Sequence, residues 1–332
     1  MTHRFRMPQF LHAAAVTLIG AVLGASVLAP AARAQDFPSR PIKFVVPFPP
    51  GSGTDTSARY FGKKLSEITG QTVVVDNKPG ANGFIAVRAV LAAPADGYTV
   101  FVGSNSTLAV NVALFKSLPY DPVADFAPLT MMMRSPAVLI TPPNAAYTTL
   151  AELIAQARAQ PGKLNYGAGS AGYQLMAELF NDQAQVLTHH VPFKGASEAI
   201  TAVAAGTVGL AFSDITGATE LIKAGKLRAL AVASDRRVPA LPALPTATEA
   251  GLNGFAAYTW VAAMVPAKTP KAETDKLAGW LSQIERLPET REFYEKLGAE
   301  TMRGGPDEMR AFQNAEIQLW KNIAAKAKVE QQ

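Results

Sequence analysis

The chain has 332 residues, 31 of them Lys or Arg and 26 Asp or Glu, with four histidines and no cysteine. That length can bury a core large enough for two domains, while the missing cysteine excludes disulfides, thiolate metal sites and a Cys nucleophile. The formal charge of +5 falls to +2 without the first 34 residues, which carry Arg4, Arg6 and Arg33 and no acid, and no basic stripe remains for a nucleic-acid partner.

Arg4 and Arg6 precede an almost wholly apolar run over 10–28, and Ala32-Arg33-Ala34 supplies the small-x-small pattern that a signal peptidase accepts. A secretory signal peptide over 1–34, cut before Gln35, is expected, with Ala29-Pro30-Ala31 as an alternative site. A retained anchor is the competing reading; His12, Thr17 and the interspersed Gly and Ser residues count against it. The working protein would then act outside the cytoplasm.

Beyond residue 34, β-branched runs alternate with helical stretches. A strand at 42–47 leads to a helix that Thr54 or Asp55 can cap and that stops at Gly70. Strands at 71–76 and 98–103 flank a helix at 83–91, and another helix covers 108–115. Segments 129–133 and 137–140 read as strands separated by a hinge at Arg134-Ser135-Pro136. Helices at 149–159, 173–181, 198–205 and 215–224 then alternate with strands at 164–167, 186–192, 208–212 and 227–233. After a proline-rich linker at 239–245 the chain returns through a strand at 258–265 and closes with helices at 271–287, 289–297 and 306–327.

Such alternation predicts an α/β fold with parallel-rich sheets covered on both faces. Two domains are expected, the first from 35–136 plus 258–332 and the second, 137–257, inserted into it. The cleft between them would collect the C-terminal ends of strands, where ligands bind in open α/β sheets. A single doubly wound sheet is the alternative. His189 and His190 are neighbours on one strand and point to opposite faces, which excludes a His-rich metal centre. Asp121 and Asp125 read as turn and cap residues, too few for a calcium site.

Five polar loops follow strands. In Pro47-Phe48-Pro49-Pro50-Gly51-Ser52-Gly53-Thr54-Asp55 two glycines let the backbone turn and present N–H groups at a helix start, a ready anion site. Asp55 argues for a small anion, or one carrying an amine. Gly103-Ser104-Asn105-Ser106-Thr107 sets four donor-capable side chains in a row. Gly167-Ala168-Gly169-Ser170-Ala171-Gly172 has the G-x-G-x-x-G spacing, but the acid that a dinucleotide site needs on the next strand is absent. Lys194-Gly195 and Asp214 complete the set. A secreted serine hydrolase built from Ser104, Ser106 or Ser170 with a His is the rival reading, and no serine sits in a G-x-S-x-G elbow.

At these loops the sequence resembles the Bug family of periplasmic solute-binding receptors, which serve tripartite tricarboxylate transporters. The matching stretches are Phe-Pro-Ser-Arg-Pro-Ile at 37–42, Val-Pro-Phe-Pro-Pro-Gly-Ser-Gly-Thr-Asp at 46–55 and Val-Asp-Asn-Lys-Pro-Gly-Ala-Asn-Gly at 75–83. They continue at 95–99, 191–195, 225–232 and 245–251, in order along the chain. The resemblance implies a two-domain periplasmic-binding-protein fold (type II-like) that closes around a small mono- or dicarboxylate, aliphatic or aromatic, with no cofactor, no metal and no catalysis. It assigns one carboxyl group to Phe48, Ser52, Gly53, Thr54 and Asp55, with Ser104, Asn105 and Ser106 beside them. From the other domain it adds Gly169, Ser170, Gly172, Tyr173, Gln174, Lys194, Gly195 and Asp214. Family members commonly have His where this chain has Gln174. Tyr173, Phe48 and Trp260 are candidates to flank an apolar ligand body. The implied partners are permease subunits in the membrane, or alternatively a signalling protein, and the receptor is expected to be a monomer in the periplasm.

Overall fold

β1 (Ile42–Val46) is an apolar strand with four of its five residues buried, and it pairs in parallel with β2 (Val73–Asn77) and β3 (Thr99–Ser104). This and all that follows is drawn from a computed structural model describing residues 1–3 and 36–332, so most of the expected signal peptide lies outside the described residues. Pro38–Gln332 form one compact unit.

The centre of the sheet is β4 (Phe126–Thr141), a strand of 16 residues. Its first part pairs antiparallel with β9 (Tyr258–Pro266), which in turn borders β3, and the short β10 (Glu300–Thr301) lies on its other side. From Ala137 onward β4 instead pairs with β7 (Leu210–Asp214) and β8 (Arg228–Ala233). β7 borders β5 (Asn165–Ala168), and β5 borders the edge strand β6 (His189–Pro192). The hydrogen-bonded order is therefore β2-β1-β3-β9-β4-β7-β5-β6, one curled path with two halves that meet on β4.

The expected hinge at 134–136 is not a break: β4 runs straight through it. Arg134, Ser135 and Pro136 pair with Trp260, Thr259 and Tyr258. Pro136 lacks an N–H, and it falls where one flanking partner (β10, ending at Arg134) has stopped and the next (β7 and β8, starting at Ala137) has not begun. A proline is tolerated at such a point because no ladder bond is missed. Three smaller corrections concern ends. Residues 186–188 precede β6 without joining it. The first helix, α1 (Gly53–Thr69), begins one residue before Thr54, with Ser52 as its cap; Gly70 closes it at φ 69°. The helix expected from Leu108 opens at Ser106 with a π turn (Ser106–Val110) that passes into Asn111–Leu114.

The terminal helix Pro306–Lys326 lies against the half of the sheet formed by β1–β3 and β9. Its Gln313 amide donates to the carbonyls of Leu108 and Pro122 at 2.9 Å each, and its Glu316 accepts from the Trp260 indole at 2.7 Å. Trp260 is 1% exposed and packs edge-on against Phe312. It belongs to the core and does not flank the cleft.

Candidate ligand-binding site

The Pro47–Asp55 loop leaves β1 and enters α1 with little slack. Ser52 Oγ accepts the Asp55 N–H (3.2 Å) and the Ser52 carbonyl accepts Thr56 N–H (2.9 Å), so the N–H groups of Gly53 and Thr54 stay without a protein acceptor. Both residues face a cavity, and so does the Thr54 side chain. Asp55 does not. Its carboxylate turns back and accepts from Gly51 N–H (3.0 Å), Arg59 (3.0 Å) and Asn77 (2.9 Å), which braces the loop.

After β3, Ser104 Oγ accepts Ser106 N–H at 3.2 Å, and its own proton remains to be donated. Asn105 is 1% exposed, and its amide nitrogen has no partner. Ser106 joins the two halves: its Oγ donates to Ser170 Oγ (3.0 Å) and accepts Gly172 N–H (3.1 Å). The glycine motif at 167–172 is explained by these close approaches. A Cβ at Gly169 would lie 2.1 Å from the Gly195 carbonyl carbon, and one at Gly172 would lie 2.8 Å from Ser106 Oγ. No phosphate-binding role is required.

Asp214 caps the helix Ile215–Lys223. Its carboxylate accepts Gly217 N–H (2.9 Å), the Thr216 hydroxyl and the Tyr173 hydroxyl (2.6 Å). Burial, and after it the adjacent Asp214 charge, holds the Tyr173 pKa well above the usual tyrosine value, so Tyr173 stays a neutral donor. Only a glycine at 53 admits this cap so close, since a Cβ there would lie 3.0 Å from Asp214 Oδ1.

The result is one small cavity walled by Phe48, Ser52, Gly53, Thr54, Ser104, Asn105, Ser106, Ser170, Tyr173 and Asp214, together with Met133, Ala196, Thr259 and Val261. Its volume is about 20 Å³ for the centre of a water-sized sphere, room for roughly one or two waters. No Lys or Arg lines it; free amides, hydroxyls and the N-terminus of α1 supply all the positive potential. Of the expected residues, Gly169, Gln174 and Lys194 border a second cavity at the mouth, while Gly172 and Gly195 are packing positions. A Cβ at Gly195 would lie 2.4 Å from the Pro49 ring, so the first loop rests on it. The last four wall residues were not anticipated. For Thr259 and Val261 the signal was present: they flank Trp260 on β9, and strand neighbours face opposite ways. Among the described residues no hydrogen bond links a serine hydroxyl to His189 or His190, the pair that a hydrolase would need.

A family model described as the tripartite tricarboxylate transporter family receptor, TctC, matches residues 57–329. The chain belongs to this family. Protein BugT of Bordetella pertussis is 34% identical over 311 residues, 93% of this chain and 95% of its own. Among solved structures, R. palustris Rpa4515 with adipate is 34% identical at a TM-score of 0.87, covering 90% of this chain and 100% of that one. MatC (Rpa3494) from Rhodopseudomonas palustris with bound malate is 31% identical at a TM-score of 0.82, covering 86% and 99%. The curled mixed sheet of this TctC-family chain is the bilobed periplasmic-binding-protein architecture, as its α/β pattern predicts. TctC proteins are receptors and not catalysts.

Proposed function

We propose that the protein is an exported receptor that captures a small organic acid between the two halves of its sheet and delivers it to a membrane permease. The observation that carries this reading is the inner cavity: unpartnered N–H groups of Gly53 and Thr54, the free Asn105 amide and the Ser104 hydroxyl converge where no cation competes. Such a set satisfies a carboxylate by hydrogen bonds and helix dipole, and closure of the cleft strengthens each bond by excluding water. Adipate and malate in the related structures are acids of this kind. Residues 35–136 with 258–332, and 137–257, would act as the two bodies that open and close, with residues 1–34 removed on export to the periplasm. The receptor would work as a monomer.

A thermal-shift screen of dicarboxylates, hydroxy acids, aromatic acids and acidic amino acids tests this, because a ligand of the folded state raises apparent stability by mass action. Thr54→Val and Ser104→Ala should each weaken the best hit by about 1–3 kcal/mol in calorimetry, the usual effect of stranding a buried acceptor. Unchanged affinity in both variants would remove the carboxylate from these loops.

A further inference from the structure

Phe48 and Ser170 border both the inner cavity and the cavity at the mouth of the cleft, so the two are contiguous. The outer chamber measures about 570 Å³ on the scale that gives 20 Å³ for the inner one. The inner space takes a carboxylate head and little more, whereas the chamber is of the size, roughly 300–1,000 Å³, usual for small organic ligands.

The chamber's chemistry is not that of a passive vestibule. His190 stacks on Tyr166 with ring centroids 5.2 Å apart, and its Nε2 is buried without a hydrogen-bond partner. The Lys194 ammonium has no ion-pair partner among the described residues. Only its backbone N–H is engaged, by the Glu198 carboxylate at 3.1 Å. The Gln174 side-chain amide likewise makes no bond among the described residues. Facing them is the 80–83 loop, where Ala81 and Asn82 hold φ of 46° and 50°. Non-glycine residues in that region are strained and persist where surrounding structure insists on them; here Asn111 anchors the Asn82 carbonyl at 3.0 Å. An ammonium, an imidazole nitrogen and an amide, all unpaired, share one chamber that opens onto the carboxylate cavity.

We infer that this chamber is a distal subsite, in which His190, Gln174 and Lys194 take the second acidic group of an elongated dicarboxylate whose first carboxylate occupies the inner cavity. The inference rests on the receptor reading above and adds the ligand's length and second charge to it. A monocarboxylate of equal chain length would leave these three groups unanswered.

Calorimetry with straight-chain α,ω-dicarboxylates of increasing length, each paired with the monocarboxylate of the same carbon count, decides the matter. The full mature protein should prefer the dicarboxylate of each long pair by tenfold or more. His190→Ala should cut dicarboxylate affinity about tenfold and leave the monocarboxylate unchanged. His190→Phe keeps the ring stacked on Tyr166 and removes only the nitrogen; it should give the same loss with an unchanged Tm, which separates recognition from packing. Equal affinity for both members of every pair, or equal losses for both in the two variants, would overturn the distal subsite while leaving the receptor standing. Failure of the wild-type protein to bind any acid would overturn both.

Discussion

Asn105 is 1% exposed with an unpartnered amide nitrogen, a donor that a carboxylate oxygen would satisfy. Asn105→Leu, close in volume and free of polar atoms, should therefore leave the ligand-free protein as stable as before or more stable by about 1 kcal/mol in urea unfolding. The same change should weaken acid binding by about 1–3 kcal/mol. Loss of stability together with unchanged binding would mean that Asn105 serves the core and not the ligand. Asp55 teaches the opposite lesson. A carboxylate in an anion loop looked like a selectivity element, yet Gly51, Arg59 and Asn77 occupy it fully and it shapes the loop from behind. Sequence reasoning found the loop but not the side chain's direction, because Asn77 is 22 residues away on a different strand.

At the scale of elements, β4 is held from one side by the helix Lys271–Glu285. Glu285, 2% exposed, accepts from Thr130 Oγ1 at 2.6 Å. Burial raises its pKa above the usual 4.5, with the Thr130 bond acting weakly the other way. For a carboxyl whose folded-state pKa is raised, the unfolded chain ionises first as pH increases. The site's contribution is thus fully present below about 4.5 and is lost as pH rises through the folded-state value. Glu285→Gln keeps the hydrogen bond and cannot ionise, so its stability relative to wild type should climb with pH across that window and then level off. Urea unfolding of both proteins over a pH series measures this; a difference independent of pH would show that Glu285 is not strained by burial. The acids at 121 and 125 behave as expected of turn residues: Asp121 accepts the N–H groups of Val123 and Ala124, and Asp125 accepts that of Asp121.

For the whole molecule, the decisive contact is the 3.0 Å bond between Ser106 and Ser170, which shuts the inner cavity between residues 64 positions apart. An organic acid is larger than a space of about 20 Å³, so this contact must part before a ligand can pass. The chain has no cysteine, which makes a cross-link test clean. In the Ser106→Cys/Ser170→Cys protein, oxidation should block exchange of bound acid, and reductant should restore it. Oxidation should also raise stability by up to about 4 kcal/mol through the closed loop. Exchange as fast in the oxidised protein as in the reduced one would mean that the two halves need not separate.

The order of strands and helices, the helix stops, the polar loops at strand ends and the exclusion of thiol chemistry were all legible in the chain, because each depends on residues within a few positions of one another. The match of its loops to the Bug receptors was equally local, and the family assignment agrees with it. Tertiary structure alone decided which of those residues share a cavity. Thr259 and Val261 face it while Trp260 is drawn into the core by Glu316 and Phe312. Pro136 continues a strand instead of breaking it because the neighbouring strands change at that residue. Gly172 and Gly195 serve close packing, and His190 gains its significance from Tyr166 and the chamber before it. These outcomes depend on partners tens of residues distant, and a side chain's direction on a strand is set by the pairing of the whole sheet, which no local pattern encodes.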